Sequence, residues 1–217
     1  MLKKVRNILS SARNRESFFL VIASFFPATD WRYKLIEKAY NDAKDAFRGK
    51  FRDDGSERYF EHIRAVTLIL ILYLRVTDYK LIIAALLHDI VEDIPSWTIA
   101  RVREEYGEDI SAHVDALTKP AHLFDDKKEC HEKYHQRFKN AKRVFFLIKL
   151  ADRLHNLLTL WSCSKEKRLR KIIETELYYL PYAETHFILY HEILAAIDSL
   201  KEDKKPVKKK TAKKTKK

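Results

Sequence analysis

Between residues 141 and 161 the chain reads AKRVFFLIKLADRLHNLLTLW, with no glycine or proline to interrupt it. Apolar side chains cover most of its circumference, which marks a helix buried on nearly all sides. Such a helix needs other elements packed round it. The rest of the chain has little from which to build tight turns: 3 glycines and 5 prolines in 217 residues. Hairpins depend on residues of those kinds, so an all-β fold is disfavoured. Long runs rich in Leu, Ala, Glu, Lys and Arg favour helix instead. The expected fold class is all-α, a helical bundle.

The helices can be placed by their punctuation. Residues 2–25 read as one helix with an apolar second half ending at Pro27. Thr29 or Asp30 caps the next, which runs to about Phe47. The polar loop RGKFRDDGSER, 48–58, carries Gly55. The helix that follows, over 59–75, holds His62 in its first turns. Thr77 or Asp78 caps another. Pro95 disfavours helical geometry at Ile94, so that helix is expected to end near Glu92 or Asp93. Two short helices part at Gly107, and 127–140 is helical. After the long helix, KEKRLRKIIETELYYL (165–180) and AETHFILYHEILAAIDSLK (183–201) complete the set. The expected organisation is a single all-helical domain over 1–200, with 1–28 as an N-terminal helical extension and 201–217 as a disordered lysine-rich tail.

Charge separates the tail from the rest. The net charge is +12, and nine lysines with no acid lie between 204 and 217, which leaves +3 for the remainder. A run of this kind buries no apolar area and stays solvated. It would attract nucleic acid or other polyanions weakly and salt-dependently. Two cysteines, Cys130 and Cys163, show no CxxC spacing, which points to a reducing, cytoplasmic setting. FFLVIASFF, 18–26, is too short to span a bilayer, which takes ~20 residues. Glu16 before it and the lack of a small-x-small site make it a poor signal peptide. It reads as a helix packed on the domain or on a partner chain.

One segment resists a purely structural reading. ALLHDIVEDIP, 85–95, is apolar on both flanks yet holds His88, Asp89, Glu92 and Asp93. Buried charges need partners or shifted pKa values. The long helix repeats the puzzle: Asp152, Asn156 and Thr159 fall within about 60° of one another at 100° per residue. Taken alone, that stripe reads as satisfied core groups, with Asp152 paired to Arg153 or Lys149. Taken with His62, His88 and Asp89, Asp152 completes a set of two histidines and two aspartates. Such a set suits Mn²⁺, Fe²⁺ or Zn²⁺ and is too rich in nitrogen for Ca²⁺. Glu92 and Asp93 would then stand beside the ion, as a general base does beside an activated water.

His62, then HD at 88–89, then Asp152 resembles the H…HD…D pattern of the HD superfamily of metal-dependent phosphohydrolases. The surroundings resemble the hydrolase domain of Rel/Spo-type enzymes, which make and degrade ppGpp. AALLHDIVEDIP is similar to that branch's segment, where the ED pair is added to HD. VDALTK (114–119), IKLADRLHNLLTL (148–160) and ETELYYLPYAE (174–184) are similar to further segments, in order, over about 39–183. The resemblance implies an HD-domain bundle holding Mn²⁺ through His62, His88, Asp89 and Asp152. It implies Glu92 and Asp93 as the catalytic acid pair, and Arg52, Asn156 and Thr159 as nucleotide contacts. The implied reaction is that of a guanosine-3′,5′-bis(diphosphate) 3′-pyrophosphohydrolase, an alarmone hydrolase of the stringent response. With 34 residues after Ala183, a stand-alone hydrolase is expected. Lys149, Arg153 and the basic stretch 165–171 are candidates for gripping phosphates; for that stretch a solvated helix face is the other reading. The family's lysine after the loop arginine is Asp53 here, which leaves open another nucleotide such as NADPH, or a non-catalytic alarmone- or RNA-binding role. The expected partner is a guanine nucleotide, ppGpp or pppGpp.

Overall fold

The computed structural model describes residues 1–12, 14–52, 55, 57–119 and 126–202. Residues 203–217 of the tail and Asp53 lie outside the described residues, and Lys201 belongs to the last helix. Among those described, the regular structure is helical, apart from one antiparallel bridge between Phe51 and Arg58.

Helices α1 (Leu2–Ser11) and α2 (Arg15–Ala23) replace the single N-terminal helix expected from the sequence. The break has a local cause. Asn14 is extended, its side chain accepts from the Ser17 N–H, and Ser17 Oγ caps back onto Asn14 N–H, so a capping box starts a new helix. α2 packs on this chain: Phe18, Phe19 and Ile22 are buried, and both phenylalanine rings meet Tyr40 of α3 (Trp31–Ala46) at 5.0 and 5.1 Å. Asp30 caps α3, accepting from Arg32 N–H.

Next come α4 (Tyr59–Leu68), a π-helical turn (Ile69–Tyr73) and α5 (Tyr79–Leu87), the last capped by Asp78. α5 stops five to six residues sooner than expected. His88 and Asp89 form a corner, and α6 (Ile90–Asp93) starts afresh before Ile94 turns extended ahead of Pro95. α7 (Ile99–Tyr106) and α8 (Glu108–Leu117) meet at Gly107, whose φ of 89° is costly for any residue with a Cβ. After them come α9 (Lys127–Gln136), α10 (Arg143–Thr159), α11 (Lys165–Tyr178), α12 (Leu180–His186) and α13 (Tyr190–Lys201). The stretch 183–201 is thus two helices. Phe187 and Leu189 both sit in the left-handed region and turn the chain between them.

Two helices carry the core. Every side chain from Leu81 to Leu87 of α5 is buried, and α5 packs on α3, α4 and α8. α10 is buried from Phe145 to His155 and packs on α4, α8, α12 and α13. His62 on α4, the corner after α5 and Asp152 on α10 therefore converge where three buried helices meet. No helix among the described residues is long and apolar enough to cross a membrane.

Candidate active site

The corner at His88–Asp89 turns two successive side chains toward α4 and α10. His88 Nε2 lies 3.1 Å from Asp89 Oδ2 and 4.0 Å from Asp152 Oδ1. His62 Nε2 lies 3.6 and 3.3 Å from the same two oxygens. The ligand atoms of His62, His88 and Asp89 thus lie within 4.8 Å of one another, and Asp152 stands beside the two histidines. The histidines are almost wholly enclosed.

Hydrogen bonds settle which way the rings face. His88 Nδ1 is 2.8 Å from the carbonyl oxygen of Ala85, which can only accept, so the proton sits on Nδ1 when the ring is neutral. Nε2 is then bare. It is buried, aimed at two carboxylates, and has no hydrogen-bond partner. A lone pair facing two anions is repulsive unless a cation lies between them. Burial pushes the His88 pKa down, but Asp89 and Asp152 outweigh it and carry it up to about 9. The field at this point demands positive charge, a proton or a metal ion. His62 Nδ1 is 2.9 Å from His155 Nδ1, so one of them donates to the other. Burial, with His62 and Arg52 nearby, holds the His155 pKa well below its ordinary value. A neutral His155 can accept from His62 Nδ1–H and leave His62 Nε2 bare, the arrangement that ligating histidines use. Residue types, burial and tautomers all fit a divalent metal ion.

The carboxylates are held from outside. Tyr59 Oη donates to Asp89 at 2.8 Å, and Asn156 Nδ2 donates to Asp152 at 2.6 Å. Lys149 Nζ stands 3.3 Å from Asp152 Oδ2, so the pairing read from the sequence is present as well as the histidine contacts. Burial raises the Asp152 pKa, but Lys149 and His62 more than offset it and keep the group ionised. Asp89 is likewise held down by His88 and His62 against its burial.

A cavity of about 330 Å³ opens over this point. Glu92 and Asp93 line it from α6. Glu92 is exposed to the cavity yet walled by protein, and Oε1 accepts from the Lys119 backbone N–H at 2.7 Å. Burial lifts the Glu92 pKa above its ordinary value, although Lys119 and Lys149 pull it down. Asp93 is lifted too, by burial that outweighs the nearby Tyr59 hydroxyl and Lys50.

α10 orders the rest of the cavity. Lys149, Asp152, Asn156 and Thr159 follow one another at helical spacing, and over ten residues a rise of about 1.5 Å each spans ~15 Å. Cations line the cavity beside Lys149, namely Lys119, Arg153, and Lys167 and Lys171 from α11. At the far end Arg52 Nη2 donates to Asn156 Oδ1 at 2.7 Å and reaches Thr159 Oγ1 at 3.4 Å. The three expected nucleotide contacts are therefore one cluster, with Phe51 and Leu160 as apolar lining. Of the basic stretch 165–171, Lys167 and Lys171 line the cavity.

Sequence reasoning missed several members. Tyr59, His155 and Glu174 were given no role. Glu174 holds Arg153 at 2.8 Å and Lys171 at 2.7 Å. The guanidinium of Arg153 also stacks 3.7 Å over the ring of Tyr179. Lys119 was visible in VDALTK, but nothing in that segment says that its backbone would hold Glu92.

A family profile described as the HD domain matches residues 39–185. The bifunctional (p)ppGpp synthase/hydrolase SpoT of Escherichia coli K12 is 36% identical over 190 residues, 85% of this chain and 26% of that protein. The guanosine-3′,5′-bis(diphosphate) 3′-pyrophosphohydrolase of Aquifex aeolicus is 36% identical over 151 residues, 68% of this chain and 21% of that one. The chain spans about a quarter of the length of such curated relatives. A solved structure described as a metazoan ortholog of SpoT that hydrolyses ppGpp superimposes with a TM-score of 0.69. It covers 76% of this chain and 94% of its own at 24% identity, a likeness of fold.

Proposed function

Because the chain belongs to the HD-domain family, we propose that it is a metal-dependent phosphohydrolase that converts ppGpp and water to GDP and pyrophosphate. One observation carries the reading. The buried Nε2 of His88 has no hydrogen-bond partner and faces Asp89 and Asp152, which line a cavity together with Glu92, Asp93 and several cations. The relatives named for ppGpp hydrolysis support the choice of nucleotide.

His62, His88, Asp89 and Asp152 would hold the ion, Mn²⁺ in this reading. The chemistry supplied by a bound metal is Lewis-acid stabilisation of charge growing on phosphorus and a lower pKa for water. The remaining work belongs to the chain. Glu92, held by the Lys119 backbone through one oxygen, takes the proton from the attacking water with the other. Its raised pKa suits that task, because a base with a pKa closer to neutrality accepts a proton more readily. Asp93 directs the same water. Arg52, Asn156 and Thr159 orient the guanine end. Lys119, Lys149, Arg153, Lys167 and Lys171 hold the phosphates. Water adds to the 3′-linked phosphorus, the bond to O3′ breaks, O3′ takes up a proton, and pyrophosphate leaves.

The test is incubation of the purified chain with Mn²⁺ and ppGpp, pppGpp or NADPH, separated by product. GDP and pyrophosphate from ppGpp are expected. Phosphate release from NADPH with ppGpp untouched would overturn the substrate. Binding of ppGpp without turnover would overturn the enzymatic reading.

A further inference from the structure

A second cluster of metal-ligating atoms lies behind the cationic wall. His131 and His135 stand one turn apart on α9, so they share a face. Glu174 reaches them from α11. We propose that His131, His135 and Glu174 form a second divalent-metal site, suited to Zn²⁺, that clamps α9 to α11.

The spacing is the first argument. His131 Nε2 is 3.3 Å from His135 Nε2 and 3.3 Å from Glu174 Oε1, and the three ligand atoms all lie within 4.8 Å of one another. A tetrahedral Zn²⁺ with bonds of about 2.0–2.1 Å holds its ligands about 3.3–3.4 Å apart. Two of the separations thus have the length that a shared ion imposes.

Proton accounting is the second. If His131 Nε2 carries a hydrogen and donates to Glu174, it has no lone pair for His135. If it is bare and accepts from His135, it has no hydrogen for Glu174. At most one of the two contacts can be a good hydrogen bond. An ion at their centre satisfies all three atoms at once. Two neutral imidazoles and one carboxylate also make the mixed nitrogen and oxygen set that Zn²⁺ takes, with a fourth position left for water.

The surroundings set the strength. Glu174 Oε1 also accepts from Arg153 and Oε2 from Lys171. Each carboxylate oxygen has a second lone pair, so an ion need not displace either. Two cations nearby nevertheless repel a third, so this site binds more weakly than the one at His88. Access is available, because His131 is 38% exposed while His135 and Glu174 are buried. The ion would tie α9 to a helix that supplies Lys167 and Lys171 to the cavity.

The experiment is Zn²⁺ titration of the metal-free full chain by calorimetry, with metal content measured after dialysis. It compares wild type, Asp89→Ala, His131→Ala and the double variant. His131→Gln provides a second, milder change at the same exposed position, and circular dichroism reports folding. The expected result is that either His131 change removes one ion per chain in both backgrounds, or weakens that ion by more than about 100-fold, since even partners of ligands are worth 10–100-fold. Asp89→Ala should affect only the other ion. The proposal is overturned if the folded His131 variants bind as many ions as their parents. It is equally overturned if Asp89→Ala takes up none. Neither result depends on which nucleotide the enzyme cleaves.

Discussion

The two histidine clusters differ most in how their charge is balanced. At His62, His88, Asp89 and Asp152, two carboxylates face two histidine rings in the core, and among the described residues Lys149 is the only lysine within 4 Å of either carboxylate. At His131, His135 and Glu174, one carboxylate is already matched by Arg153 and Lys171. The first place is short of positive charge, and the second is not. The first also draws on three helices and the second on two, so the deeper centre is held the more firmly in place. The ligand count is similar in the two, and what separates them is the unbalanced charge left in the pocket and the rigidity around it.

The comparison can be broken at its strong end first. Asp152→Asn, which removes a charge while keeping the shape beside Lys149, should weaken metal at the deep centre by more than about 100-fold, beyond the usual effect of changing a ligand's partner. Hydrolysis should fall with it. Asp152→Ala is the poorer probe, because it strands buried Lys149 without its partner at a cost of about 3–5 kcal/mol. Equilibrium dialysis beside a melting curve separates the two effects. Undiminished Mn²⁺ binding by Asp152→Asn would mean that unbalanced charge does not govern this centre.

The next effect separates holding the ion from doing chemistry. Glu92→Gln with Asp93→Asn should retain the metal and lower kcat by about 10²-fold or more, the scale of a positioned general base. Loss of metal in that variant would make the pair ligands and add their charge to the deep centre.

A pH profile sharpens the contrast further. Glu92 must be ionised to accept a proton, and burial raises its pKa above the ordinary glutamate value. The acid limb of kcat should therefore fall at a higher pH than for an exposed glutamate, with activity lost as pH drops through the raised pKa. Lys119 pulls that pKa down, so Lys119→Ala should move the limb to still higher pH. A limb that stays in place would remove Glu92 as the base.

The smallest effect belongs to the outer cluster. His131→Ala should leave kcat with Mn²⁺ within about twofold, as expected for a partly exposed change away from the reacting groups. In the Asp89→Ala background it should abolish the rise in melting temperature that Zn²⁺ gives through the outer cluster. A collapse of kcat would show that the two clusters are one functional unit.

How much of this was legible depends on the range of the interaction. His62, His88, Asp89 and Asp152 were found because helical segments carried ionisable groups where only apolar ones are stable. Arg52, Asn156 and Thr159 followed from the family resemblance, and the structure brings them within hydrogen-bond reach of one another. His131 and His135 were read only as part of a helix over 127–140, and Glu174, 39 residues beyond His135, has no local link to them. The early end of α5 at Leu87 was not legible, because Ala-Leu-Leu-His-Asp-Ile has no breaker in it.

By itself the sequence determined what depends on neighbours along the chain. That includes the all-helical class, a cap at Thr29 or Asp30 and another at Thr77 or Asp78, the stop before Pro95, and the oddity of charge among apolar residues. Tertiary structure decided what depends on groups brought together from afar. Ala85, His155 and two carboxylates together leave Nε2 of His88 and His62 facing a place for a cation. Glu174 is shared between a histidine pair and two cavity cations. A helix period or a cap is set within about one turn of the chain. A tautomer or a pKa is set by whichever dipoles and charges the fold places within a few ångströms, and only the folded molecule supplies those.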